Sequence, residues 1–583
     1  MSLLKLELNQ RQLFVCFGLF WIGLGWLALI LSLLGIFYAS ILAVYALLAG
    51  AFFVWLVLFN KKNIKISVQL LSVIVATIAL ILITSFYTTP TIFSGRDQGS
   101  FSEAAVQLSQ NHHFAFSFPA SGEFFKIYGP GKALNFPGFN YTRDGFLLAQ
   151  FPPGYPSWLA IFYSFFGLTG FIVANGVSFF IFFLAFYALA RKFLKPSSAL
   201  VTFFMALTAF VFSWFFKFTL SENLALMLVW FGIYAFAIFT KDKNRFFFVA
   251  SFLSFGLLLF SRIEALAFLV MMALILLIKY RDWKYLLFGV LGKKAVLIIL
   301  SVLLIYVFHA TADSQIYTTL IKSVFKPLVN LKKDILSAGG FTQLFFVIKI
   351  FALYALLGFL VFASLGIAYL FKRRNFEILL PFLIIAPSFF YLIQPSITPD
   401  HPWMLRRFLF AVIPVCIFYT GCFLDRFFKK RFFFYLISGA LIAANLTITI
   451  PYLSFSPDWN LLPQIEKLSE NFSASDLVLV DRLATGDGWS MMTGPMNFLY
   501  SKQAVYFFNP KDLDKIDKTK FSKIYFIIPD GSLEFYAKSG LFGRLAPQND
   551  YVITNKVLPA SSAIRLPKAQ DITVHGKIYL LQN

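Results

Sequence analysis

Apolar runs of about 20 residues, the length that crosses a bilayer core, recur along most of the chain and are separated by short basic clusters. Runs near 12–36 and 38–59 predict a helical hairpin between Lys5/Arg11 and Lys61/Lys62/Lys65, and a third run near 65–88 leads into a polar loop, 89–151. The stretch 152–190 holds Pro152, Pro153 and Pro156 and predicts a short docked or re-entrant helix followed by one full crossing. Further runs near 197–217, 222–240, 246–261, 262–279, 286–308, 344–371, 377–394, 404–424 and 432–452 bring the expected spans to about 13. With that count every basic connection falls on one face: Arg191/Lys192/Lys195, Lys241/Lys243/Arg245, Lys279/Arg281/Lys284/Lys293/Lys294, Lys372/Arg373/Arg374 and Arg426/Lys429/Lys430/Arg431. The positive-inside rule makes that face cytoplasmic and puts the loop 89–151 on the other side.

Beyond residue 452 the pattern changes to short β-rich runs among charged and proline-containing segments. Asp476–Val480, Ala504–Phe508, Lys523–Ile528 and Ile572–Val574 read as strands, with a helix over about 488–501 between the first two. The expected fold class is a polytopic α-helical membrane protein with a small C-terminal extracytoplasmic α/β domain. Its divisions are an N-terminal hairpin 1–63, a membrane region 64–452 and a soluble tail 453–583. An amphipathic helix around 319–336 is expected within the loop 309–342.

Composition then changes one conclusion that charge alone would suggest. Fifty Lys and Arg against 27 Asp and Glu give +23, which in a soluble chain would point to nucleic acid. Here 59% of residues are hydrophobic, 13% are charged and Phe occurs 78 times, too little polar material to coat a soluble protein of this length. The cytoplasmic connections hold 23 of the basic residues against 5 acids, so most of the excess is a topology signal. No nucleic-acid partner is expected; the bilayer is. Cys16, Cys416 and Cys422 lie in or beside apolar runs without CxxC spacing and read as buried small hydrophobes. No cleavable leader is evident at the first apolar run.

Ionisable residues at membrane depth are costly, so each is a candidate for function. They gather at the predicted outer ends of spans: Arg96, Asp97, Glu103, Glu222, Arg262, Glu264, Asp400, His401, Arg406 and Arg407. Ser100 and Glu103 match a capping box opening a helix over 104–110, which leaves Asp97 upstream and free either for a turn or for a site. Glu222 opens a span, where a carboxylate serves equally as a cap. Arg262 and Glu264 form either a snorkelling pair or half of a phosphate clamp. Arg406 and Arg407 enter an apolar span against the charge rule and call for an anionic partner, from the protein or from a ligand phosphate. No P-loop or HExxH pattern is present, and the adjacent His112 and His113 suit a turn better than a chelate.

These fragments in this order resemble the GT-C membrane glycosyltransferases. Arg96-Asp97-Gln98-Gly99 in the first outer loop, Phe151-Pro152-Pro153-Gly154-Tyr155-Pro156, Thr219–Ala225, Ser261–Ala265 and Pro402–Phe408 are similar to the family 39 group, which includes protein O-mannosyltransferases and the lipid A aminoarabinose transferase. The resemblance covers about 65–425. Two departures stand out: Gln98 follows Asp97 where the protein mannosyltransferases have a second acid, and the hairpin 12–59 precedes the expected first span.

The resemblance implies transfer of a sugar from a polyprenyl-phosphate-linked donor to an extracytoplasmic acceptor (glycolipid, polysaccharide or protein), with inversion, at a bacterial plasma membrane. Asp97 and Glu222 become the catalytic candidates, Asp97 as general base or metal ligand. Arg96, Arg262, Glu264, His401, Arg406 and Arg407 become the substrate-binding candidates. A divalent metal ion on Asp97 and Glu222 is allowed, and no directly bound nucleotide cofactor is expected. Two other readings stay open: a flippase or transporter of a lipid-linked sugar, and an oligosaccharide ligase or polymerase. A transporter should carry mid-membrane polar groups and internal repeats, whereas the acids here sit at one face.

Overall fold

The computed structural model describes residues 8–61, 66–282, 284–312, 318, 338–428 and 430–582. Helices α1 (Gln10–Leu33) and α2 (Ala39–Phe59) form the expected hairpin, and Asn9 starts α1 through a capping box with Gln12. After α3 (Val68–Phe86), capped by Ser67, the chain enters the first loop. The loop is more ordered than its polarity suggests. It holds α4 (Asp97–Asn111), α5 (Pro119–Tyr128) and a three-stranded antiparallel sheet of β1 (Gly131–Lys132), β2 (Phe139–Tyr141) and β3 (Leu147–Ala149). Sequence reading missed α5 and this sheet because their runs are too short to show a period.

The proline-rich stretch gives a short helix and then a long one, as expected: α6 (Gly154–Phe166) and α7 (Thr169–Phe193). They are followed by α8 (Pro196–Leu207), α9 (Phe210–Phe215), α10 (Ser221–Asp242), α11 (Arg245–Leu259) and α12 (Glu264–Tyr280). Helix α10 is the axis of the bundle. Nearly all of its residues are buried, and it packs on α7 and α11, as a helix apolar all round must. By contrast α2 and α3 expose Leu47, Leu48, Phe52, Leu82 and Phe86, surfaces that need an apolar surrounding.

Among the described residues seven helices are long and apolar enough to cross a membrane, or up to nine if each of two bent pairs counts as one span. The chain is an integral membrane protein. Several expected spans are not single helices. The run 344–371 breaks into segments at 111°, at a corner where Ala355 takes a left-handed conformation that an α-helix cannot continue. The run 404–424 bends by 59° between its two parts, and 377–394 tightens into a 3-10 helix from Ala386, beside Pro387. Pro381 lies inside the helical part of that run, where its ring removes a backbone donor. The run 286–308 begins as a π-helix, Tyr285–Leu291, before the helix Lys293–Ala312. The expected amphipathic helix near 319–336 lies outside the described residues.

The last long helix, Arg431–Leu453, delivers the tail. Its five-stranded sheet has the order β5-β4-β6-β8-β7, from β4 (Leu477–Val480), β5 (Gln503–Tyr506), β6 (Ile524–Pro529), β7 (Leu545–Val557) and β8 (Gln570–Leu581). The first three strands are parallel; β8 and β7 add antiparallel at one side. Strand β7 was not expected, because its first half is Pro, Gln, Asn and Asp. The helix expected over 488–501 is only Thr493–Phe498. Asp487 accepts from the Trp489 and Ser490 amides, and that local turn competes with helix there. Lys217 fixes the tail to the bundle by donating to the Tyr452, Leu453 and Phe455 carbonyls.

Candidate active site

The starts of α4, α10 and α12 meet at the tail-bearing end of the bundle. Helix α4 begins at Asp97, seven residues earlier than the capping-box reading placed it, so Asp97 is in its first turn and Arg96 is its N-cap. Glycine makes this possible: a Cβ on Gly99 would lie 1.7 Å from the Phe93 carbonyl oxygen, and one on Gly95 would lie 2.6 Å from that of Trp489. Glu103 is not a cap. It is buried and accepts from Ser94 Oγ at 2.8 Å, close against Gly494 of the tail. Burial, only partly offset by that hydrogen bond, pushes its carboxyl up to about 8.

Glu222 lies in the first turn of α10 and Glu264 in the first turn of α12, where the helix dipole favours a carboxylate. Arg262 stands between them. It meets Glu222 at 2.9 Å and Glu264 at 2.7 Å, and it also donates to Ser221 Oγ at 3.2 Å. Tyr391 donates to Glu264 at 2.7 Å. Arg406 meets Asp97 at 2.6 Å and lies 3.9 Å from Glu222. These residues, with Arg407, line a cavity of about 580 Å³ whose other walls include Phe101, Phe151 and Phe390. Asp97 is the accessible acid there, its side chain 33% exposed against 2% for Glu222.

Arg407 differs from the other two arginines. Among the described residues no carboxylate pairs with it; its Nη2 reaches the Ser396 carbonyl at 3.4 Å, and its buried Nε has no hydrogen-bond partner. The cavity therefore presents one guanidinium that makes no direct ion pair among the described residues and keeps donors free, with Glu222 and Glu264 acting on it only from a distance.

The structure separates two predicted residues from this group. Arg96 faces a second cavity of about 330 Å³, between the bundle and the tail. It pairs with Asp400 at 2.7 Å and lies 4.5 Å from the Trp403 ring and 4.4 Å from the Trp489 ring. Arg406 lies 4.4 Å from the same Trp403 ring and Arg482 lies 5.0 Å from Trp489, so cations and indoles alternate from the first cavity into the tail. His401 is buried beside Arg96's cavity and holds the tail in place. Its Nδ1 lies 3.0 Å from the Tyr354 hydroxyl, its Nε2 lies 2.6 Å from the Ala563 carbonyl, and its amide donates to Ser561. His112, by contrast, is the expected turn residue: it ends α4 in the left-handed region.

The residues do not fit a resident divalent ion on Asp97 and Glu222. Among the described residues no group of three His, Cys, Asp or Glu side chains is placed to hold a metal. Both acids already have guanidinium partners that would oppose a cation. Sequence reading did not assign Tyr391 or Trp489, since in a chain so rich in aromatics nothing local marks them.

No family model matches the sequence, and no curated protein matches it. Solved structures do. The apo crystal structure of ArnT from Cupriavidus metallidurans is similar over 88% of this chain and 98% of that one, at 12% identity and a TM-score of 0.53. The same protein bound to undecaprenyl phosphate is similar over 86% and 97%, at 11% identity and 0.51. The fold is that of ArnT. The archaeal oligosaccharyltransferase AglB from Archaeoglobus fulgidus, in complex with an inhibitory peptide and a dolichol-phosphate, covers 80% of this chain and 70% of its own at 11% identity and a TM-score of 0.46.

Proposed function

We propose that the chain is a membrane glycosyltransferase that moves a sugar from a polyprenyl-phosphate donor to a hydroxyl acceptor at its tail-bearing end. The observation that carries this reading is Arg407, an unpaired guanidinium facing a cavity with apolar walls. A lipid phosphate satisfies both: the anion meets the arginine and the chain lies along the apolar wall. That ArnT binds undecaprenyl phosphate supports the same ligand class. The 13 crossings, the division at residues 63 and 452, and an extracytoplasmic site belong to this proposal. They require the shorter apolar helices Pro196–Leu207, Arg245–Leu259 and Phe376–Leu392, and α12 with them, to cross as well.

In this reading the acceptor oxygen attacks the anomeric carbon while the bond to the phosphate oxygen breaks. The bonding pair leaves on the phosphate, and the acceptor proton passes to Asp97. A single displacement of this kind inverts the anomeric centre. Arg407 carries the leaving phosphate. Protonation of Asp97 releases its hold on Arg406, which then adds a second positive charge beside the leaving group. Glu222 and Glu264 act as positioning residues by fixing Arg262 and, through Glu222, Arg406.

Purified protein in nanodiscs, offered undecaprenyl-phosphate hexoses and pentoses with membrane extract as acceptor, should release undecaprenyl phosphate. Asp97→Asn should abolish release, and Arg407→Ala should raise the apparent KM for donor. Full activity in both variants, or no release from any donor, refutes the assignment.

A further inference from the structure

The second cavity has a chemistry of its own. It is roofed by the tail and floored by the first loop and the bundle, and its size falls within the range of small-molecule sites. Its unfilled hydrogen-bonding capacity is that of an acceptor. Gln98 Oε1 is buried in the lining without a partner. Asp458 and Asp487 lie on the tail side, and both approach one donor, Ser490 Oγ, at 2.7 and 3.2 Å. One hydroxyl proton cannot serve both. Asp487 has further donors in the Trp489 and Ser490 amides, whereas Asp458, its carboxyl held well above the usual range by burial and by Asp487, has room for another donor. Lys556 completes the charged lining. The other cation, Arg96, is spent on Asp400 and on two indoles. With Asp400, Asp458 and Asp487 against Arg96 and Lys556, acids outnumber cations in the lining, which disfavours an anion.

We infer that this cavity binds a hydroxyl-rich saccharide, the acceptor headgroup of the reaction. Hydroxyls supply the donor that Gln98 Oε1 lacks and one that Asp458 can take, and Pro402, Pro457, Leu558 and Pro559 give the lining apolar surface for sugar C–H groups. The placement is the second part of the inference. Arg96 and Gln98 face this cavity while Asp97 between them faces the first, because consecutive helical residues point in different directions. Likewise Trp403 lines this cavity and Arg406 the other. Two segments therefore wall both cavities, and a saccharide seated on the first turn of α4 lies against the turn that carries the proposed base. The role of acceptor rests on the transferase reading; saccharide binding does not.

The test uses full-length protein in nanodiscs and three probes: methyl β-glucoside, glucosamine and glucuronate, with binding followed by saturation-transfer NMR. The glucoside and glucosamine should bind saturably and glucuronate at least tenfold more weakly. Gln98→Leu, which removes no hydrogen bond made by the Gln98 side-chain oxygen, and Asp458→Asn should each weaken glucoside binding tenfold or more. Asp97→Asn and Arg407→Ala should leave it unchanged. Absence of saturable binding, equal binding in Gln98→Leu, or a preference for glucuronate overturns the inference. The two readings fail separately. Saccharide binding without turnover of any lipid-linked donor sinks the transferase reading alone. Donor turnover with an unchanged acceptor KM in Gln98→Leu sinks this one alone.

Discussion

Replacing Glu103 with Gln tests how the first loop and the tail are locked together. Glu103 is buried between them, and its carboxyl sits at about 8 instead of the ordinary 4.5. A carboxyl raised on folding keeps its proton longer in the folded state than in the unfolded one. Its stability is therefore fully present below about pH 4.5 and is lost as pH rises through about 8. Each pH unit in that window costs about 1.4 kcal/mol, and the whole window costs on the order of 5 kcal/mol. Glutamine keeps the shape and still accepts from Ser94, but it cannot ionise. The variant should match the wild type at pH 5 and gain on it steadily up to pH 8, with no further gain at pH 9. Melting temperatures of the detergent-solubilised protein across pH 5–9 measure this directly. A gap between the two proteins that is constant with pH would refute the reasoning, because the slope comes from an ionisation that the unfolded chain undergoes and the fold suppresses.

Glu123 should show the opposite sign. Burial works against its charge, but hydrogen bonds from Lys126, from Lys520 and from the Asp517 amide hold the carboxyl down at about 2. Its contribution is present above about pH 4.5 and is lost as pH falls toward 2, so Glu123→Gln should flatten the acid limb of the same melting curve. Glu222→Gln should cost transfer activity at least tenfold through loss of its hold on Arg262, while Glu222→Asp should recover part of it; equal activity in Gln and Asp variants would exclude a charge-positioning role. Trp489→Ala removes one of the two indoles around Arg96, an interaction of about 1–2 kcal/mol, and should slow transfer about 5–30-fold without changing the donor KM, with Trp489→Phe recovering part of the rate. Lys217→Met leaves three backbone carbonyls without their buried donor and should expose the connection after residue 453 to limited proteolysis, releasing a tail fragment that the wild type does not yield.

The membrane pattern was legible because the energetic demand is large and local. About 20 apolar residues and a basic flank announce a span whatever surrounds it, and the strands β4, β5 and β6 carry the β-rich composition of buried parallel strands. The breaks were not legible. Nothing in the residues around Ala355 distinguishes a left-handed corner from a continuing helix, and the choice is made by what the two segments pack against. Strand β7 was missed for the same reason: Pro547, Gln548, Asn549 and Asp550 are poor strand formers, held in place by pairing with β8.

The residues that line the cavity were easier to find than their partners. The cost of burying charge singled out Asp97, Glu222, Arg262, Glu264, Arg406 and Arg407, and all six do line one cavity. By count they balance, three acids against three arginines, and sequence reading treated the arginines as equivalent phosphate ligands. The fold does not divide them evenly. Glu222 and Glu264 both go to Arg262, Asp97 goes to Arg406, and Arg407 is left over. That asymmetry comes from where α10 and α12 begin: their first turns bring two carboxylates to one guanidinium. The set, neutral by count, thereby divides into three carboxylates held by two guanidinium groups and a third guanidinium with no direct ion pair, and a guanidinium with free donors facing an apolar cavity is what a lipid phosphate needs. The local charge that decides the chemistry is thus a property of the pairing, which no count of residues along the chain contains.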